Sequence, residues 1–102
     1  MSYDVWIKEK NWETDSINHT SNCSDMWHKS LGMSLKELYG MKAENAIPLL
    51  TNAITEMIND PLSYEKMNPK NGWGSHKTAK HYLESILKMC QKYPDGNIEM
   101  SY

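Results

Sequence analysis

The sequence predicts a small α+β domain, and three observations carry that expectation. Alternating apolar residues stand near each end of the chain, the middle repeats its apolar residues at helical spacing, and no repeat or long linker divides the 102 residues. The expected arrangement is a single domain over residues 1–102. Two short terminal strands pair in one small sheet, and two main helices joined by short helical turns pack on it. A chain this short buries a modest share of its surface, so the core must be dense. Phe is absent while there are 4 Trp, 6 Tyr and 8 Met, which points to a Leu/Ile/Met core holding a few large amphipathic rings.

Taken in order, Tyr3, Val5 and Ile7 alternate with Asp4, Trp6 and Lys8, the period of a half-buried strand. Residues 25 to 31 make one or two helical turns closed by Gly32. Ser34 with Glu37 is a capping-box pattern, stopped by Gly40. Ala43, Ala46, Ile47, Leu50, Ala53, Ile54, Met57 and Ile58 then form a helical stripe. Pro48 lies early in it and predicts a bend or a late start, because proline forfeits one backbone bond. Asp60-Pro61 opens a short helical turn. The clearest helix is capped by Ser75 and carries Ala79, Tyr82, Leu83, Ile86, Leu87, Cys90 and Tyr93 on one face, until Pro94-Asp95-Gly96 turns the chain. Ile98, Met100 and Tyr102 alternate once more, and this last strand is expected beside the first, in either direction.

Two polar segments with a tryptophan are left without a core role: S-I-N-H-T-S-N-C-S-D-M-W at 16–27 and N-P-K-N-G-W-G-S at 68–75. Their plainer reading is structural. Asn, Ser and Thr tie an irregular link to itself, while Asn68-Pro69 and Asn71-Gly72 are turn dipeptides with Trp73 as a plug over the core. Their functional reading makes them facing walls of a pocket. Trp27 and Trp73 would supply stacking faces, and Asn18, Thr20, Ser21, Asn22 and Asn71 hydrogen bonds. The helix start at Ser75, with Lys77, would hold an anion. A stretch of a dozen non-helical residues is long for a compact domain, and long loops tend to carry function.

Other chemistries fit the residues less well. His19, Cys23 and His28 are zinc-type ligands, but no C-x-x-C or H-E-x-x-H pair fixes a geometry, so no metal and no cofactor is expected. A Cys23 nucleophile beside His19 or His28 can be drawn, yet nothing in the sequence lowers the thiol pKa, and the chain reads as a non-enzyme. The net charge of −2 offers no basic field for nonspecific nucleic-acid binding. No apolar run reaches the roughly 20 residues of a membrane span, and the N-terminal residues lack a signal-peptide pattern. A cytoplasmic location with Cys23 and Cys90 as free thiols is therefore expected.

The segments N-H-T-S-N-C-S-D-M-W at 18–27, G-M-K-A-E-N-A-I-P-L-L at 40–50 and N-P-K-N-G-W-G-S at 68–75, in that order, resemble a group of small bacterial, phage and plasmid proteins to which no activity is attached. The resemblance spans the chain from about residue 17 onward. It implies a small cytosolic accessory protein, phage-borne in type, of the kind that blocks a host protein or sequesters a nucleotide signal. Two functions from different classes follow. The first is a non-catalytic binder of a nucleotide-like or other polar ligand in a pocket between loops 18–24 and 71–75. The alternative is an interaction module that binds a host protein through exposed aromatic and Met side chains or a strand edge. A homo-oligomer is compatible with either.

Overall fold

A computed structural model describes residues 1–102. Three strands form one antiparallel sheet: β1 (Ser2–Lys8), β2 (Ile17–Thr20) and β3 (Asn97–Ser101), in the order β2-β1-β3. Four helices complete the fold: α1 (Ser24–Leu31), α2 (Ala43–Asn59), α3 (Pro61–Glu65) and α4 (His76–Lys92), with turns of 3-10 helix at Ser21–Cys23 and Leu35–Leu38. The α+β class and the side-by-side terminal strands are as the sequence predicts. Their direction is antiparallel, with Ile7 opposite Ile98 and Val5 opposite Met100. No helix is long and apolar enough to cross a membrane.

One cluster of 22 buried residues forms the core. The inward face of β1 (Tyr3, Val5, Ile7) meets Ile98 and Met100 of β3 and the stripes of α2 and α4, with Met26, Met57, Trp27, Tyr64 and Tyr82 filling the space between. No charged or strongly polar side chain is buried, and every buried side-chain N or O atom has a hydrogen-bond partner. The buried phenol of Tyr82 reaches that state by donating toward the carbonyls of Ile17 at 2.9 Å and Tyr3 at 3.3 Å. This locks α4 beneath β1 and β2.

The structure refines three expectations. Residues 18–24 are not a loop. Ile17–Thr20 is a strand paired with β1 in the register Tyr3 opposite His19, and the chain then runs through a 3-10 turn straight into α1. Four residues, two of them turn-forming types, show no resolvable alternation, and the strand exists because β1 and Tyr82 receive it. Ser34 caps a very short helix as expected, of 3-10 form, its hydroxyl accepting from Lys36 N. Of the bend or late start expected at Pro48, the late start does not occur. Helix α2 begins at Ala43 because its first N–H groups dock on the turn before β3, Ala43 N to Gly96 O at 2.8 Å and Glu44 N to Pro94 O at 3.0 Å. That docking outweighs the one bond forfeited at Pro48.

The two edges of the sheet differ. The outer side of β3 is covered by the segment before α2, through Gly40 N to Ile98 O at 2.7 Å and Ile98 N to Met41 O at 2.8 Å. The outer side of β2 faces the start of α4, and the hollows described next lie there.

Candidate ligand-binding site

Of the two polar segments, five residues come together. Asn18 and Thr20 of β2, Asn22 of the following turn, and Asn71 and Trp73 of the other segment line one hollow of 620 Å³, with His19, Thr78, Gly74 and the chain start completing its wall. Each wall is held by local chemistry. Asn71 Oδ1 accepts from Trp73 N at 2.9 Å, closing an Asx turn that lifts the indole outward. Gly74 then presses the loop onto the other wall. Its φ is +95°, and a Cβ there would stand 2.8 Å from Cys23 Sγ and 2.9 Å from Thr20 Cγ2. Only a glycine fits that approach, so the spacing between Trp73 and β2 is set by a backbone contact.

The lining is neutral and partly unspent. Asn18 Nδ2 is engaged, donating to Tyr3 O at 3.2 Å and Asp4 Oδ1 at 3.0 Å. Thr20 Oγ1 accepts from Asn22 N, which leaves its proton free to donate. The side-chain amide of Asn22 and the Nδ2 group of Asn71 make no hydrogen bond within the chain. Trp73 is 68% exposed at the lip, so a flat apolar face stands beside free amide and hydroxyl donors.

Four other expected site residues lie elsewhere. Trp27 is 0% exposed, with its Nε1 donating to Ala79 O at 3.2 Å and its ring edge-on to Tyr3 and His19, so it is a core plug and offers no face to a ligand. The Ser21 hydroxyl bonds Met1 O at 3.1 Å, outside the hollow's lining. Ser75 is consumed as the α4 cap, accepting from Thr78 N while Thr78 Oγ1 accepts from Ser75 N. His76 N donates to Asn68 Oδ1 at 2.7 Å, so two N–H groups of the first turn are already occupied at the helix start where an anion was expected. Lys77 faces a second hollow.

That second hollow, of 560 Å³, lies on the other side of His19 and shares Asn18, His19 and Thr78 with the first. Its remaining wall includes Lys77, Lys80, His81, Glu84 and Ser85, one face of α4. His19 is the ridge between the two hollows. Its Nδ1 donates to Thr20 O at 2.8 Å, and its Nε2 meets Thr78 Oγ1 at 2.9 Å, tying β2 to the α4 cap. A carbonyl only accepts, so Nδ1 carries a proton, and in the neutral ring Nε2 accepts from the Thr78 hydroxyl.

A scan of family models, a search of curated proteins and a search of solved structures each returned no match. The site therefore rests on its own geometry.

Sequence reasoning missed His19 and Thr78 as wall residues. His19 falls two residues after Ile17 on the inward face of β2, a signal hidden because that strand is so short. Thr78 stands three residues after the Ser75 cap, but threonine is not the Glu or Gln that marks a capping box in sequence. No three His, Cys, Asp or Glu side chains converge as a metal site. Burial raises the Cys23 thiol pKa, backbone hydrogen bonding at Ser75 opposing it in part, so Cys23 is held as thiol and not as a reactive thiolate. A further hollow of 590 Å³ near Lys8, Lys10, Asp95 and Glu99 mixes both charge signs and has no apolar wall.

Proposed function

We propose that the protein is a non-catalytic binder of a small polar ligand carrying a flat ring, nucleotide-like in character, held in the hollow between β2 and the 71–74 loop. The observation that carries this reading is the pairing of Trp73, exposed and fixed by Gly74, with the unspent donors of Asn22, Asn71 and Thr20 across one 620 Å³ space. Such volumes suit small-molecule ligands, and convergent neutral donors beside an aromatic face suit uncharged heterocycles. Amides and a hydroxyl hold without reacting, which favours binding over turnover. Sequestration by a phage-type accessory protein is one setting in which that activity is useful.

A thermal-shift screen over nucleosides, nucleotides and cyclic dinucleotides tests the reading. A ligand at about 100 times its Kd adds about 2.7 kcal/mol to the folded state. The expected result is a raised melting temperature for wild type and none for Trp73→Ala, whose ligand-free melting temperature matches wild type. No shift anywhere in the panel, or an equal shift in both proteins, would reject it.

The outer edge of β2, paired with no further strand, favours a second reading, addition of a partner's strand. That edge is four residues long, and His19 already occupies the Thr20 carbonyl. The main chain left for a partner is short, and the ligand reading leads.

A further inference from the structure

We infer that the two hollows flanking His19 are halves of one site, and that its ligand is a planar polar ring bearing a single phosphate, of the nucleoside monophosphate class. This rests on the proposed binding function and adds the anion's place and its charge. The hollows share three wall residues, so a ring lying against Trp73 has only the His19 ridge between it and the second space.

The second space differs from the first in charge. Lys77 and Lys80 lie one turn apart on α4 and His81 lies four residues after Lys77, which sets all three along one side of the helix, next to the buried stripe. The chain contains no arginine, so any phosphate it holds must be met by lysine point charges, and this is one of the few places where two of them border a hollow together.

Opposing them is Glu84, whose Oε1 is 3.6 Å from Lys80 Nζ. Asp4, behind Asn18, is already bonded to that side chain. Among the side chains lining the space, two lysines against one carboxylate leave one net positive charge, enough for one phosphate and too little for a polyphosphate. The Lys80–Glu84 pair joins two partly exposed side chains, so it is weak and can yield to an incoming anion. The expected anion site thus moves from the capped helix start to the side of the helix.

Calorimetric titration at low salt with adenosine, guanosine, cytidine and uridine, each beside its 5′-monophosphate, separates the steps. For the base that binds, the monophosphate is expected to bind about tenfold tighter than the nucleoside, the value of one charge-assisted contact. Replacing both lysines (Lys77→Ala with Lys80→Ala) should erase that advantage and leave the nucleoside's affinity unchanged. Glu84→Gln should strengthen monophosphate binding alone. Equal affinity of nucleoside and monophosphate, with both lost in Trp73→Ala, overturns this inference and leaves the binding function standing. A monophosphate advantage that survives the double lysine substitution overturns the assignment to the second hollow. No binding of any probe by wild type removes both.

Discussion

Replacing Trp27 with alanine is expected to destabilise the fold by about 3–5 kcal/mol in urea denaturation, while Trp73→Ala changes stability by less than about 0.5 kcal/mol. Trp27 is fully enclosed, its indole N–H satisfied by Ala79 O and its ring set among Tyr3, His19 and Tyr82, so truncation opens a large cavity. Trp73 is mostly in solvent and loses little. The two residues look alike in sequence, each at the end of a polar run, and no local signal separates a plug from a lip. What separates them is position after folding: Trp27 falls on the inward side of a helix that only exists as drawn once β2 has delivered the chain to it. Asn18, Thr20, Asn22, Asn71 and Trp73 were legible as a group because their polarity and turn chemistry left them without a core role. Ser75 was legible as the cap of α4, but not Thr78 as its reciprocal partner, nor Lys77 as turned to another hollow.

At the scale of elements, the loop carrying Trp73 and the strand carrying Thr20 act as one unit because Gly74 touches both Cys23 and Thr20. Gly74→Ala forces a Cβ to 2.8 Å from Cys23 Sγ at a φ of +95° and is expected to cost about 1–3 kcal/mol. Gly72→Ala supplies the comparison. Its φ of +77° carries a similar backbone penalty, but no atom lies within 4 Å of the new methyl, so it should cost about 1 kcal/mol. If the two substitutions prove equal by urea denaturation, the close approach of Gly74 has no energetic weight. Ligand affinity should fall with Gly74→Ala more than stability requires, since the lip moves relative to Thr20. The helices were readable because their apolar stripes run over many turns; β2 was not, since its pairing is supplied entirely by β1 and by the Tyr82 hydroxyl.

The molecule as a whole keeps ionised groups out of its core, yet it buries thiols and phenols, and that choice sets its pH dependence. Burial pushes the Cys90 thiol from an ordinary 9.0 up to about 12. Tyr82 and Tyr64 are raised above the ordinary tyrosine value of 10.0, each first by burial, then by nearby carboxylates, Asp4 for Tyr82 and the hydrogen-bonded Glu56 for Tyr64. In every case the folded chain holds its proton where the unfolded chain releases it. The unfolded state therefore binds fewer protons above pH 9, and stability must fall as pH rises. Below that value these groups are protonated in both states and contribute no slope. Chemical denaturation under reducing conditions should accordingly show a stability that these groups leave nearly flat from neutral pH to about 8, then a decline approaching about 1.4 kcal/mol per pH unit from Cys90, to which the buried Cys23 thiol adds, steepening near and above pH 10 as the two phenols join. Cys90→Ala should lower stability at neutral pH by about 1 kcal/mol through lost packing. It should also remove a large part of the decline between pH 9 and 10, leaving the share of Cys23, whose thiol pKa burial also raises, and of the phenols as they begin to ionise in the unfolded chain. A slope in that interval equal to wild type would mean that the Cys90 thiol ionises in the folded chain as readily as in the unfolded one, and that this end of the core admits water.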